Sequence, residues 1–225
     1  MMRLNRFISS AGIVARRKAD LLIEQGLVTV NGIVTKKMGT IVDETNDVVM
    51  CRGQRVHLKD SYTYLALHKP IGYVTTVSRN EGPSIMKLVP RGKRLYPVGR
   101  LDKDSSGLII MTDDGDSAQR IMHPSFNLEK EYFVILDKPL ADKDRAKIEK
   151  GMTIDGKKLQ PARIINCTDN RVDIAIHEGV NRHIRRLFGR LDYRVDKLKR
   201  IRIGKLKLEG IVEGKYKAVK LADII

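Results

Sequence analysis

The apolar residues of this chain come in short runs of strand length, split by turn residues, with no regular alternation of strand and amphipathic helix. Leu108-Ile109-Ile110-Met111 ends at the turn Asp113-Asp114-Gly115-Asp116, and Glu131–Leu136 ends at Asp137-Lys138-Pro139. Arg171–Ile176 alternates as a half-buried strand does. Tyr64–Leu67 and Tyr73–Val77 read as strands on either side of Lys69-Pro70 and Gly72, and Val195–Leu208 as another. Helices fit Ala141–Lys150, closed by Gly151, and a basic segment from about Asn181 to Leu191; Asp155-Gly156 marks a turn. This irregular mixture favours an α+β fold over a doubly wound sheet.

The first 60 residues have a different pattern. Leu4, Phe7, Ile8 and Ala11 fall at helical spacing, and a second helix fits Ala15–Gln25, with Gly26 just beyond its end. Val28–Val30, Asn31-Gly32 and Ile33-Val34 then predict a tight hairpin, because Asn-Gly tolerates the positive φ angles of a type I′ turn. Seven basic residues (Arg3, Arg6, Arg16, Arg17, Lys18, Lys36 and Lys37) face only Asp20 and Glu24 across residues 1–38. A unit this small and basic suits gripping RNA. The boundary is set at residues 60 and 61.

The formal net charge is +16, from 43 Lys and Arg against 27 Asp and Glu, which points to a polyanionic partner. No apolar run approaches the ~20 residues of a membrane helix, and the start is not of signal-peptide type. Cys51 and Cys167 have no metal-type spacing and read as reduced thiols of a cytosolic protein. Phosphate-cradling and dinucleotide motifs are absent. His177-Glu178 begins like a zinc-protease helix, but Asn181 stands where the second histidine would fall. Neither a metal nor a cofactor is expected.

Two polar constellations remain. Gly99-Arg100-Leu101-Asp102-Lys103-Asp104-Ser105-Ser106-Gly107 lies between Tyr96-Pro97-Val98 and the apolar run Leu108–Met111. A loop held between two buried strands places a side chain rigidly at a sheet edge, and Arg100 and Lys103 make an attractive field for phosphate. The second is Glu178-Gly179-Val180-Asn181-Arg182-His183-Ile184-Arg185-Arg186-Leu187-Phe188. Residues 182–207 carry eleven Lys and Arg against two acids, too many for mutual pairing, so RNA phosphates are the expected partners.

These residues carry a family resemblance. Arg3-Leu4-Asn5-Arg6-Phe7-Ile8, Arg16–Asp20 and Gly26–Gly32 resemble the small S4-type RNA-binding domain, the α-L motif of ribosomal proteins. His68-Lys69-Pro70 with Gly72, Gly99-Arg100-Leu101-Asp102 with Ser106-Gly107-Leu108, Lys130-x-Tyr132, and Asn181-Arg182-x-Ile184-Arg185-Arg186 resemble the RsuA-like branch of the RNA pseudouridine synthases. The resemblance implies an α-L domain over residues 1–60 and a catalytic domain over 61–225 on a mostly antiparallel mixed sheet. It implies cofactor-free conversion of uridine to pseudouridine in ribosomal RNA, with motifs closer to the members acting on large-subunit (23S) rRNA; tRNA is a further candidate. The partner is structured RNA and not a membrane, in the cytoplasm, with a monomer as the default.

By the same resemblance Asp102 is the nucleophile, and an aspartate is ionised at neutral pH without an activating base. Attack at the sugar and attack at the base both stay open. Arg185 would pair with Asp102 and orient it, and Tyr132 would lie on the uracil and take the proton from carbon 5. Arg100 would help extrude the uridine. Lys130, Arg182, Arg186 and Arg200 would contact RNA, together with Arg3, Arg6, Arg16, Arg17 and Lys18. His183 stands where the family commonly has glutamine. Two other readings fit parts of the pattern: a non-catalytic RNA-binding or ribosome-assembly protein on this scaffold, and a glycosidic hydrolase, for which Asp104 is the one close second carboxylate.

Overall fold

A computed structural model describes residues 1–225 apart from Asp155, Val180 and Asn181. The chain divides into one unit of Met1–Tyr62 with Asp113–Gly115, and a second of Thr63–Thr112 with Asp116–Ile225.

The first unit opens with β1 (Met2–Arg3), α1 (Leu4–Ser10) and α2 (Arg16–Glu24), followed by β2 (Val28–Val30), β3 (Ile33–Val34), β4 (Ile41–Val42), β5 (Val49–Cys51) and β6 (Gln54–Arg55). The helix spacing buries Leu4, Phe7 and Ile8 of α1 and Ala19, Leu22 and Ile23 of α2. They share a core with Val28, Val42, Val49 and Cys51. The Asn31-Gly32 turn has φ 52° and 82°, as a type I′ hairpin requires. Arg3, Arg16, Arg17 and Lys18 are exposed, and Arg6 is half-buried.

The second unit is built on one nine-stranded sheet. Its elements are β7 (Tyr64–Lys69), β8 (Tyr96–Val98), β9 (Ser106–Thr112), α3 (Gly115–Met122), β10 (Lys130–Leu136), α4 (Asp142–Lys150), β11 (Thr153–Ile154), β12 (Lys157–Lys158), β13 (Arg163–Thr168), β14 (Arg171–Ile176), α5 (His183–Gly189), β15 (Val195–Ile203), β16 (Leu206–Lys207) and β17 (Tyr216–Val219). The main path runs β13-β14-β10-β15-β9-β7-β17, with β16 on β15 and β8 on β9; β11 and β12 form a separate hairpin. Every pairing in the sheet is antiparallel except β15 with β9. One face packs Leu67, Ile109, Val134, Ile174, Ile184 and Phe188, and the other Ala66, Leu108, Ile110, Ala118, Ile121 and Ile203. Cys51 and Cys167 are free thiols. Among the described residues no helix is long and apolar enough to cross a membrane.

Three sequence expectations are corrected. Tyr73–Val77 is not a strand: Gly72 turns the chain at φ 88°, and Val74 makes only an isolated bridge to Ser84. The Thr75 hydroxyl is drawn instead onto the backbone of Leu101. The strand expected over Val195–Leu208 turns at Gly204 (φ 56°) into β16. The expected turn at Asp113–Asp116 instead leads into α3, which buries Ala118 and Ile121. The basic helix is α5; Asn181, the start of the expected segment, lies outside the described residues, as does Asp155 of the expected turn.

The single parallel pairing rests on Gly107. It adopts φ 114° opposite Arg200, and a Cβ there would overlap the Arg200 backbone nitrogen and carbonyl oxygen. Gly210 also has positive φ (75°), but a Cβ there meets nothing within 4 Å. We therefore expect Gly107→Ala to cost roughly 2–5 kcal/mol in urea unfolding, from steric overlap plus backbone strain. Gly210→Ala should cost only about 1 kcal/mol. Equal costs for the two would remove the close β9–β15 approach from the account.

Candidate active site

The Gly99–Ser105 loop joins β8 to β9, and several of its backbone groups are tied to the end of β7 and the segment that follows it. Thr75 Oγ1 donates to the Leu101 carbonyl at 2.6 Å and accepts from the Leu101 amide at 3.2 Å. The Gly72 amide donates to the Lys103 carbonyl at 2.7 Å, and the Ser105 amide turns back to the Asp102 carbonyl at 3.1 Å. Lys69, the last residue of β7, has no solvent exposure at all. Its ammonium donates to the carbonyls of Pro70 (3.0 Å), Asp102 (2.9 Å) and Ser105 (2.6 Å). The backbone of Asp102 is thus fixed while its carboxylate keeps 34% exposure.

That carboxylate lies on a cavity of about 610 Å³, within the range of small-ligand sites. Tyr132 of β10 and Arg200 of β15 line it, with Lys130, Arg182 and Arg100. Tyr132 is 8% exposed and Arg200 3%. The two stand opposite one another across β10 and β15, next to a register shift between Glu131 and Tyr132. Arg200 donates through Nε to the Leu108 carbonyl at 2.7 Å and through Nη1 to the Tyr132 hydroxyl at 3.5 Å. Lys130 Nζ reaches the carbonyls of Leu128 (3.2 Å) and His177 (3.5 Å). Burial, and then the neighbouring Arg200 charge, push its ammonium down to about 8.

One expectation on the arginines is corrected here. Arg185 is held by Asp104 and not by Asp102. The buried Ile184, Leu187 and Phe188 fix the register of α5, and Arg185 then donates to the carbonyls of Val195 (2.7 Å) and Asp104 (3.0 Å), with Nε 3.2 Å from the Asp104 carboxylate. Among the described residues the cation nearest the Asp102 carboxylate is Arg182, at 3.8 Å, and Arg182 also reaches Asp104 at 3.4 Å. Arg182 caps α5 in the left-handed conformation, φ 49°. Arg200, expected to contact RNA, is buried against Leu108 and Tyr132 and forms part of the cavity wall. Arg100 is exposed at the cavity rim and Arg186 is half-buried. Sequence reasoning gave Lys69 and Thr75 no role; a lysine closing an apolar strand run was the available signal.

Residues 63–190 match the family described as RNA pseudouridylate synthase, and residues 2–49 match the S4 domain. "Dual-specificity RNA pseudouridine synthase RluF" of Escherichia coli O6:H1 is 39% identical over 228 residues, covering 100% of this chain and 77% of that one. "Ribosomal large subunit pseudouridine synthase B" of Bacillus subtilis is 35% identical, covering 95% and 90%. A crystal structure of a pseudouridylate synthase superposes with a TM-score of 0.72 at 30% identity, over 100% of this chain and 98% of that one. The sheet and its aspartate-bearing loop are therefore those of an RNA-modifying isomerase. The chain belongs to the RNA pseudouridylate synthase family, with an S4 domain at its N-terminal end.

The lysine clamp makes a pH prediction. Burial pushes the Lys69 ammonium down to about 8, against the opposing pull of Asp104 and Asp102. In the window from about 8 to the ordinary lysine value the unfolded chain binds the extra proton, so this titration adds stability as pH rises. Activity should move the other way, because an ammonium has three donors for three carbonyls and an amine only two. We expect kcat/KM to fall as pH rises through about 8, with no matching fall in Tm. Lys130 titrates in the same direction and window. A rate that stays flat until the ordinary lysine value would contradict this.

Proposed function

We propose that this enzyme converts uridine to pseudouridine in ribosomal RNA, with 23S rRNA as its substrate and Asp102 as its nucleophile. The observation that carries the reading is that Asp102, held by its backbone, and Tyr132 line one cavity of about 610 Å³. Isomerisation breaks the bond from uracil N1 to the ribose, turns the base and forms the bond from carbon 5; carbon 5 gives up its proton and N1 takes one up, so no atom is gained or lost. It is redox-neutral and adds no group, so a carboxylate and a proton acceptor suffice. Asp102 starts the sequence. Tyr132 takes the proton from carbon 5, and the Arg200 guanidinium, which donates to its hydroxyl oxygen, holds that oxygen in place. Removing such an acceptor typically costs 10²–10⁴-fold in rate. Arg182 is the counter-ion nearest Asp102. Arg185 pins the loop through the Asp104 carbonyl.

A uridine in a folded RNA must leave its stack to enter this cavity, and Arg100 at the rim is suited to fill the vacated space. Lys130, Arg182 and Arg186 serve the flanking backbone. On the S4 domain Arg3, Arg6, Arg16, Arg17 and Lys18 serve phosphates elsewhere on the RNA, so binding should weaken steeply with salt. The cavity is formed by one chain, so a monomer suffices, and the enzyme acts on cytoplasmic RNA. The relatives' names, one of them specifying the large ribosomal subunit, favour 23S rRNA, with tRNA as the alternative. The hydrolase reading loses its second carboxylate, because Asp104 is occupied by two arginines.

The substrate is tested by mapping pseudouridines in rRNA and tRNA from cells lacking the gene. We expect a 23S position to lose its pseudouridine, and to regain it with the wild-type gene but not with Asp102→Asn. Restoration by Asp102→Asn would remove the nucleophile from the proposal. A tRNA position lost in place of a 23S one would redirect the substrate.

A further inference from the structure

Asp104 is the residue of this site whose chemistry is still unaccounted for. It lies two positions beyond Asp102 on the same loop, and its carboxylate is half exposed. One oxygen of that carboxylate stands 3.2 Å from Arg185 Nε and 3.4 Å from Arg182 Nη2. A single carboxylate therefore bridges two guanidiniums that would otherwise repel each other. The two arginines differ in freedom. Arg185 is largely buried and also tied to the Val195 and Asp104 carbonyls. Arg182 is half exposed, and among the described residues its side chain meets Asp104 and, at 3.8 Å, Asp102. Its backbone also sits in the left-handed region, which costs a non-glycine residue free energy unless its surroundings hold it there.

We propose that Asp104 is a positioning residue for the isomerisation: by bridging Arg185 and Arg182 it keeps the Arg182 guanidinium beside the nucleophile Asp102. Arg185 is the fixed post, Asp104 the link and Arg182 the movable charge delivered to the reacting carboxylate. The inference rests on the reading of Asp102 as nucleophile. It assigns Asp104 a role through arginine and not as an acid or base. An aspartate alternative of equal length without charge breaks the link. Glutamate keeps the charge, and the half-exposed side chain has room for one more methylene.

The test is steady-state release of tritium from carbon 5 of uridine in transcribed 23S rRNA and tRNA, with the full-length enzyme. Asp104→Asn is expected to lower kcat about tenfold or more, with KM within about twofold and thermal unfolding unchanged, because a neighbouring charge is lost but no substrate contact is. Asp104→Glu should recover most of the rate. In an Arg182→Ala background, Asp104→Asn should add less than about twofold, because the residue it acts through is already gone. A kcat within about twofold of wild type for Asp104→Asn, or full additivity with Arg182→Ala, would overturn the inference. Active wild type beside inert Asp102→Asn in the same assay separates that outcome from failure of the nucleophile reading. If wild-type enzyme released no tritium from either RNA, both would fall together.

Discussion

A lysine ammonium with no solvent exposure holds the site together. Lys69 closes β7 and spends all three of its hydrogens on backbone carbonyls, two of them from the loop that carries Asp102. Burying a charge without a carboxylate partner is costly, and convergent carbonyl dipoles with the nearby Asp102 and Asp104 charges are what offset that cost. The arrangement is stable only if the loop takes one conformation, so the same bonds that neutralise the lysine also fix the loop. The Thr75 and Gly72 contacts add to the clamp from the adjoining segment. Sheet geometry makes it possible: Lys69 pairs with Gly107 across β7 and β9, and Gly107 in turn lets β15 come alongside.

The reacting side of the cavity follows from that anchoring. With the loop fixed by its backbone, the Asp102 carboxylate faces open space and Arg182 while the sheet beneath supplies Tyr132 and Arg200. Two acids of the loop and two arginines at the start of α5 balance one another, so Asp102 has a nearby cation without being sealed in a tight pair. A loosely paired, partly exposed carboxylate is open to an incoming substrate, which is what a nucleophile requires. Lys69 and Lys130 beside the cavity are held below their ordinary range, chiefly by burial.

Much of this was legible in the chain. β9 and β10 read as strands because their apolar runs are continuous, and β14 because its residues alternate. The Asn31-Gly32 hairpin followed from turn chemistry alone. β13 and β17 escaped notice because they are the two ends of the sheet, where exposed side chains erase the hydrophobic period. Asp102 and Tyr132 were accessible through motif resemblance, and they do line one cavity. The partner of Arg185 was not accessible. It depends on which of two acids, two residues apart, meets a side chain some eighty positions later, and packing of Ile184, Leu187 and Phe188 decides that. Lys69 was quoted in a motif but given no work, because Lys-Pro after an apolar run reads as a strand ending.

The central claim is that a held aspartate initiates isomerisation with no cofactor. It is tested most directly with purified, dialysed protein and RNA tritiated at carbon 5 of uridine, in buffer without added metal or coenzyme. The account predicts release of tritium to solvent with conversion to pseudouridine by the wild-type protein, and neither with Asp102→Asn at equal folded concentration. Turnover by Asp102→Asn, or free uracil as the product in place of pseudouridine, would contradict it.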